Sequence, residues 1–226
     1  MKIAIWNHKG GVGKTTITAH IGFRAIDKNQ SLNVLDFDTQ HNTMSWLSNH
    51  AYSGEPFNKG NVDVSNDPNV LQSVKDCIID CPPQYIQNID LLKDVDVWLV
   101  PIDGRFSVDG CLGARDIIRN SSKDARIVVV VNKAIDTKHG RYERDEVVKL
   151  NIELFKMVIP QHEVVRRAEM MGVAAWDVPY GLRSTASQNL QLLADWVLSG
   201  CLSKGVYGFE EDRAGFVYAR RGVVYG

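Results

Sequence analysis

The chain has 226 residues, of which 44% are hydrophobic, and its formal net charge at neutral pH is −1. This apolar content is enough for one well-buried α/β domain, and the balanced charge excludes a protein whose whole surface attracts DNA or anionic lipid. No apolar run approaches the roughly 20 residues that span a bilayer, and the first residues predict a strand instead of a signal peptide. We therefore expect a cytoplasmic protein that does not insert into membranes.

Apolar runs alternate with amphipathic segments along most of the chain. Runs without polar alternation are typical of central strands that are covered on both faces. Their alternation with helices predicts the α/β class, with a doubly wound, mostly parallel sheet flanked by helices. The predicted strands are residues 3–6, 32–35, 78–79, 95–100 and 127–131, and the predicted helices are residues 15–27, 42–49, 108–120, 142–155 and 187–198.

Two stretches depart from this alternation. Residues 51–69 are rich in Gly, Asn, Pro and Asp, which predicts a loop with at most short structure. The last residues predict a tail, in which 216–219 and 223–225 are compatible with a small hairpin, a frayed terminus or a docking segment. We therefore divide the chain into one P-loop domain over residues 1–204 and a C-terminal tail over residues 205–226.

A glycine-rich loop lies between the first predicted strand and the first predicted helix. Its glycines let backbone N–H groups converge on phosphate oxygens, and the helix N-terminus adds the positive end of its dipole. This context favours a nucleoside triphosphate site over a glycine-rich turn with a chance lysine. Lys14 would reach the β- and γ-phosphates, and the Thr15 hydroxyl would ligate Mg²⁺. The expected phosphate cradle is Gly10, Gly11, Val12, Gly13, Lys14, Thr15 and Thr16.

Polar side chains follow three predicted strands. Asp36 and Asp38 follow the second, Asp80 ends the third, and Asn132 follows the last. Ligands of doubly wound sheets bind at the carboxyl ends of the strands, so these side chains are expected to meet there. Any one aspartate is as easily a helix cap or turn residue. Together with the glycine loop they predict a magnesium site, with Asp36 and Asp80 acting through water.

The order of these motifs resembles the ParA/MinD family of deviant Walker A ATPases, and its ParA-type partition members in particular. The second-strand motif of that family reads D-x-D-P-Q-G-N, where this chain has Thr39 and His41 in place of Pro and Gly. A later V-I-P-R has Gln161 in place of Arg. The resemblance covers residues 1–200 through the motifs KGGVGKTT (9–16), DFDTQHN (36–42), IIDCPP (78–83), VPID (100–103) and VVVVNK (128–133).

This resemblance implies a mechanism and roles for single residues. Lys9 is similar to the lysine with which the family reaches the nucleotide of a partner subunit, so the catalytic set would be Lys9, Lys14 and Asp38. Asp38 would orient the attacking water. Asn132 would bind the adenine amino group, with Pro160 packed nearby. The implied protein is a slow ATPase with ATP and Mg²⁺ as cofactors, a homodimer in its ATP state, and activated by a ParB-like protein.

The choice of base also has support from the residues themselves. A guanine-binding N-K-x-D motif starting at Asn132 would place its aspartate at position 135, where this chain has Ile135. The sequence therefore favours ATP over GTP.

Members of the ParA type bind DNA without sequence preference and move plasmid, chromosome or protein cargo over the nucleoid. The candidate DNA contacts here are Arg166, Arg167, Arg183 and Lys204, with Arg220 and Arg221 in the tail. Residues 160–226 also hold seven acidic residues, and an arginine taken singly is more often part of a solvated helix face. A regulator of the same fold, which positions a protein or membrane machine without binding DNA, therefore stays open.

Two other classes are less favoured. A membrane-positioning ATPase of the MinD type would carry a C-terminal amphipathic basic helix, whereas residues 205–226 contain five glycines and no helical apolar stripe. An iron–sulfur protein like the nitrogenase iron protein would supply two cysteines per subunit. The only plausible pair is Cys81 and Cys111, and Cys81 follows Asp80 too closely to avoid the nucleotide.

Overall fold

The computed structural model describes residues 1–48, 55–83, 91–103, 108–135, 147, 152–201 and 206–207. Its strands are β1 (Lys2–Ile5), β2 (Leu32–Asp36), β3 (Phe57–Lys59), β4 (Val62–Ser65), β5 (Cys77–Asp80), β6 (Val97–Asp103), β7 (Arg126–Asn132), β8 (Glu153–Phe155) and β9 (Val206–Tyr207). Its helices are α1 (Lys14–Asp27), α2 (Asn42–Leu47), α3 (Pro68–Ser73), α4 (Val108–Ser121), α5 (Glu163–Met171) and α6 (Thr185–Leu198), with a 3₁₀ turn at Gly181–Arg183.

The described strands form one sheet in the order β3-β4-β2-β5-β1-β6-β7-β8-β9. The two outer pairs, β3 with β4 and β8 with β9, are antiparallel, and the other neighbours are parallel. Because β2, β5, β1, β6 and β7 are parallel, their carboxyl ends lie along one edge of the sheet. This confirms the predicted doubly wound, mostly parallel sheet with flanking helices.

Both faces of the central strands are buried. Successive side chains of β1 point to opposite faces, and Ile3 and Ile5 belong to one apolar cluster while Ala4 and Trp6 belong to the other. On the first face α1 packs against α2 and α6. The second cluster includes Cys111, Ala114 and Ile118 of α4. Because each face of the sheet has its own core, the central strands show no polar alternation.

The predicted loop over residues 51–69 contains two short strands, which the prediction of at most short structure allowed. Its described part includes β3 and β4, which turn at Gly60 with a φ of 65° and extend the sheet beyond β2. In β4, Val62 and Val64 are buried while Asp63 is exposed. This alternation spans too few residues to stand out against the polar composition around it, so the sequence signal was missed.

The predicted helix over residues 142–155 is wrong at its end. Glu153–Phe155 is strand β8, which runs parallel to β7. Arg126 of β7 donates to the Glu153 carboxylate at 2.8 Å, so an ion pair as well as the sheet hydrogen bonds fixes this register. Residues 142–146 and 148–151 lie outside the described residues. Helix α5, which begins after His162 and ends at Gly172 with a φ of 64°, was not predicted.

None of the described helices combines the length and apolar composition that crossing a bilayer requires. The hairpin predicted at 216–219 and 223–225 lies outside the described residues. Val206 and Tyr207, inside the stretch predicted as a tail, pair with β8 through the register Leu154 to Tyr207. The division into residues 1–204 and 205–226 stays a prediction.

Candidate functional site

The glycine loop joins β1 to α1 at the carboxyl edge of the sheet. Gly13 precedes α1 with a φ of 97°, in the left-handed region that residues with a side chain rarely adopt. A Cβ at this position would lie 2.0 Å from the side-chain nitrogen of Asn132. Glycine is therefore required between the loop and the end of β7, and it sets the loop at the N-terminus of α1, where anions are favoured.

Two lysine ammonium groups donate to carbonyls of this loop. Lys14 Nζ lies 3.2 Å from the carbonyl oxygen of Lys9, and Lys133 Nζ lies 2.7 Å from that of Gly11. Lys133 sits just past β7 with a φ of 52°, a strained value for a residue with a side chain. Both ammonium groups can exchange a carbonyl partner for an anion that binds in the loop.

Lys14 is buried, with 6% of the residue exposed. Burial lowers the pKa of its ammonium from the usual range, and the nearby carboxylates of Asp80 and Asp38 act in the opposite direction. A buried cation that faces two carboxylates stays charged only while that compensation holds. The arrangement concentrates charge of both signs at the predicted phosphate site.

Both the backbone and the side chain of Lys9 are connected to β6 by polar contacts. Its backbone N–H donates to Asn7 Oδ1 at 3.0 Å, and the Asn7 amide donates to the Pro101 carbonyl of β6 at 2.9 Å. Its ammonium lies 2.9 Å from Asp103 Oδ1, at the end of the same strand. Lys9 is therefore attached to β6 within its own subunit.

Asp80, at the end of β5, is buried, with 1% of the residue exposed. Its Oδ2 accepts the hydroxyls of Thr15 at 2.8 Å and Thr43 at 2.6 Å. Its Oδ1 is buried and has no hydrogen-bond partner. Burial, with a smaller contribution from the charge of Asp36, raises the pKa of Asp80 to about 7. Such a carboxylate is incomplete without a ligand for its second oxygen.

Asp36 and Asp38 differ in exposure and in role. Asp36 is fully buried, and its carboxylate accepts the backbone N–H groups of Met44 at 3.0 Å and Asp38 at 3.1 Å. Burial raises the pKa of Asp36 to about 6. Asp38 is half-buried, and its Oδ1 accepts the N–H of Gln40 at 3.0 Å. Asp36 thus anchors the start of α2, and Asp38 presents a carboxylate close to Lys14.

Asn132 ends β7, and Pro160 lies on a segment beside the residues that follow this strand. The Asn132 amide donates to the Val12 carbonyl at 2.8 Å, so it ties β7 to the glycine loop. Pro160 pairs with Ala134 in a parallel bridge, and the N–H of Gln161 donates to the Ala134 carbonyl at 2.9 Å. The structure places the two predicted base contacts near each other and gives Asn132 a second role in holding the loop.

The predicted DNA contacts lie on other elements. Arg166 on α5 pairs with Glu163 at 2.7 Å, and Arg183 of the 3₁₀ turn lies 5.8 Å from the ring of Tyr180. Arg167 also belongs to α5, and Lys204 lies outside the described residues. The Glu163 carboxylate therefore offsets the charge of Arg166.

The four cysteines, Cys77, Cys81, Cys111 and Cys201, are buried free thiols. Burial raises the pKa of Cys81 well above its usual range. Among the described residues, no three His, Cys, Asp or Glu side chains are grouped to hold a metal ion. These observations favour structural thiols.

Three residues of this edge were not predicted. Asp103 ends β6, and the rule that ligands bind at strand ends would have found it if that strand had been predicted past Val100. Thr43 directly follows the DFDTQHN motif, where a hydroxyl one position into a helix carries no special signal. Lys133 could have been suspected only from its position beside Asn132.

A family model described as the CobQ/CobB/MinD/ParA nucleotide binding domain matches residues 3–174 of this chain. The chain belongs to that family. The match confirms the resemblance inferred from the motifs. A comparison with curated protein sequences gives no match.

Solved structures with the same fold include three that are informative here. The septum site-determining protein MinD of Pyrococcus horikoshii OT3, complexed with Mg-ADP, is 21% identical with a TM-score of 0.67, covering 88% of this chain and 97% of that one. Apo McdA from Cyanothece is 16% identical with a TM-score of 0.68, covering 85% and 98%. A plasmid partition protein from Borrelia burgdorferi B31 bound to AMPPNP is 17% identical with a TM-score of 0.65, covering 88% and 98%. At these sequence identities the structural similarity shows that the proteins share a fold.

Proposed function

We propose that this protein is an ATPase that dimerises around ATP and partitions plasmid or chromosomal DNA, or positions another cargo, through nucleotide-controlled, sequence-independent DNA binding. The observation that carries the proposal is the site itself, in which the glycine loop and Lys14 face the carboxylates of two strand ends. The nucleotide-bound structures of MinD and of the Borrelia partition protein support ATP as the ligand of this fold.

The carboxylate of Asp80 supports Mg²⁺ as the cofactor. One of its oxygens is buried without a partner, while the other orients the Thr15 hydroxyl. An orphaned acceptor of this kind is satisfied by a water molecule on a hydrated cation. Thr15 would hold Mg²⁺ directly, and Asp80 and Asp36 would hold it through water. When bound, the ion neutralises charge on the phosphates.

The chain's own residues would act on ATP by positioning and charge. Lys14 and the loop N–H groups bind the phosphates, and the ammonium stabilises the charge that develops on the γ-phosphoryl oxygens. Asp38 holds a water in line with the γ-phosphorus. The water's oxygen bonds to phosphorus as the bond to the β-phosphate oxygen breaks, releasing ADP and phosphate. Asn132 and Pro160 would contact the adenine.

Lys9 would complete the site of a second subunit, so that two ATP molecules lie between two protomers. Assembly then depends on the nucleotide, and slow hydrolysis sets the lifetime of the dimer. A ParB-like protein would accelerate hydrolysis and release the cargo. Arg166, Arg167, Arg183 and Lys204 are the proposed DNA contacts, and such binding would weaken steeply with added salt.

The second candidate function is a regulator of the same fold that positions a protein or membrane machine without binding DNA. The pair between Arg166 and Glu163 favours it, because a paired arginine contributes less to phosphate binding. Both functions share the ATP chemistry.

The experiment is size-exclusion chromatography of the Asp38→Ala protein with ATP and Mg²⁺, with and without duplex DNA. Partitioning predicts an ATP-dependent dimer that co-migrates with DNA, and the regulator predicts a dimer that does not. The Lys14→Ala protein is the control, since it is expected to bind no ATP and to stay monomeric. Normal hydrolysis by Asp38→Ala would refute the role assigned to Asp38.

A further inference from the structure

Lys9, which the proposed function places across the dimer interface, forms an ion pair within its own subunit. Its ammonium lies 2.9 Å from Asp103 Oδ1. The Asp103 side chain is only 9% exposed, whereas that of Lys9 is 35% exposed. The ion pair therefore draws the ammonium toward the end of β6 and into the protomer that carries it.

Asp103 is well placed to act on the nucleotide site. It is the last residue of β6, in register with Asn132 of β7, whose amide holds the glycine loop. The backbone of Lys9 is attached to the same strand through Asn7 and Pro101. The backbone attachment fixes where the Lys9 side chain starts, so that a rotation of the side chain alone decides between Asp103 and a partner.

We propose that Asp103 is a latch, which holds Lys9 inside the free protomer and must release it before two subunits close around ATP. This inference rests on the proposed function, because it requires Lys9 to act on the partner's nucleotide. The latch sets a threshold for assembly. Protomers dimerise only when the interaction of each Lys9 with the partner's triphosphate is more favourable than its ion pair with Asp103.

The latch also explains why dimerisation would depend on whether the bound nucleotide has a γ-phosphate. The γ-phosphate adds negative charge that competes with Asp103 for the ammonium, and its loss on hydrolysis returns the advantage to Asp103. Re-pairing of Lys9 with Asp103 would then favour separation of the subunits after hydrolysis. Asp103 is a positioning residue in this account, since it acts through Lys9.

The size of the effect follows from the exposure of the pair. A partly exposed ion pair changes an equilibrium constant by roughly two- to fivefold. Each dimer releases two such pairs, so the factors multiply. Removing the charge of Asp103 should therefore lower the dimer dissociation constant by roughly four- to twenty-five-fold.

The test is sedimentation velocity of the full chain over a range of protein concentrations, with Mg²⁺ and a non-hydrolysable ATP analogue. Asp103→Asn removes the charge and keeps the shape, and Asp103→Ser provides an independent replacement in case one variant folds poorly. Asp195→Asn is the matched control, because it breaks an ion pair of 2.8 Å with Arg24 on α1. Thermal unfolding of each variant reports whether it is folded.

The latch predicts tighter dimers for Asp103→Asn and Asp103→Ser, and no such tightening for Asp195→Asn. Unchanged or weaker dimers of folded Asp103 variants, with Lys9→Ala monomeric, would overturn the latch and leave the proposed function standing. If Lys9→Ala dimerises as the unmodified protein does, the latch and the proposed role of Lys9 both fail. The double variant Lys9→Ala with Asp103→Asn is expected to stay monomeric.

Discussion

Two buried titratable side chains, one on α1 and one at the end of β5, differ in how completely their hydrogen bonds are satisfied. His20, which is fully buried, donates its Nδ1–H to the Thr16 carbonyl at 2.7 Å, and its Nε2 accepts the Ala175 N–H at 3.0 Å. Asp80 has one oxygen with two hydroxyl donors and one with none. A buried group whose partners are complete holds the fold, whereas an incomplete one awaits a ligand.

The surroundings of the two groups support this distinction. Trp46 and Trp176 contact the His20 ring edge-on, with centroids 5.2 and 5.4 Å away. Their indole N–H groups are used as well, by the Val173 carbonyl and the Asp27 carboxylate. Around Asp80, by contrast, the loop, Lys14 and Asp36 bring charges together that only a bound ion and phosphate would balance.

Replacing Asp80 by Asn should produce the largest functional effect with the smallest structural one. We expect ATP hydrolysis to fall by roughly 100- to 1000-fold, because the amide cannot hold the water shell of the cation in the same way. The unfolding temperature without nucleotide should be unchanged or higher, since a buried charge is removed. Steady-state phosphate release and calorimetry measure both, with Asp116→Asn on α4 as an exposed control. A large loss of stability would contradict the distinction drawn above.

Replacing His20 by Gln should give the opposite result. We expect a loss of about 2–4 kcal/mol in the free energy of unfolding, since two backbone groups lose a buried partner and the tryptophans lose their contact. Nucleotide affinity, measured below the unfolding transition, should change less than about threefold. Urea unfolding and titration with a fluorescent ADP analogue measure the two quantities. His162→Gln is the control for a histidine at the surface. Unchanged stability would show that the His20 contacts carry little energy.

The same histidine predicts a pH dependence. Burial lowers the pKa of His20 to about 4, below its usual value of about 6.5. The unfolded chain therefore binds a proton that the folded chain excludes, so the stability that His20 contributes is complete above pH 6.5 and is lost as the pH falls toward 4. The difference in unfolding free energy between the unmodified protein and His20→Gln should shrink by up to ~3 kcal/mol over this range. A constant difference would mean that His20 does not titrate as its burial implies.

The smallest effect is expected at Thr43. Its hydroxyl orients the Asp80 carboxylate from the first turn of α2. Thr43→Val removes that donor at nearly constant volume and should weaken nucleotide binding about tenfold in Mg²⁺, with little change in EDTA. Thr43→Ser, which keeps the hydroxyl, should bind like the unmodified protein. Equal losses with and without Mg²⁺ would indicate a general packing defect.

The sequence predicted those parts of the molecule whose signal is local. The glycine loop, the long buried strands and the aspartate at the end of β5 each combine an unbroken apolar run with a residue of specific chemistry. The carboxyl-edge rule then placed them together without a structure. For this reason the fold, and the meeting of these side chains at one edge of the sheet, could be expected in advance.

Other features depend on contacts between distant segments. β3, β4 and β8 are short strands whose assignment comes from pairing with a neighbour, and local pattern does not predict them. The position of Asp103 beside Lys9 joins residues 94 apart in the sequence, and Thr43 reaches Asp80 across 37. Such pairs follow from the sheet order, which periodicity alone does not give.

The central claim is that Lys9 completes the nucleotide site of a second subunit, and it is tested most directly by mixing two inactive variants. Lys9→Ala lacks the donated ammonium, and Asp38→Ala lacks the residue that positions water, so each alone should hydrolyse ATP at a background rate. In a mixed dimer the Lys9→Ala subunit receives Lys9 from its partner and keeps its own Asp38. Mixing should raise hydrolysis well above the background of either variant, up to about a quarter of the unmodified activity, which is the value for random pairing with one complete site in each mixed dimer. A mixture that stays at the background rate, while mixed dimers form, would contradict the account.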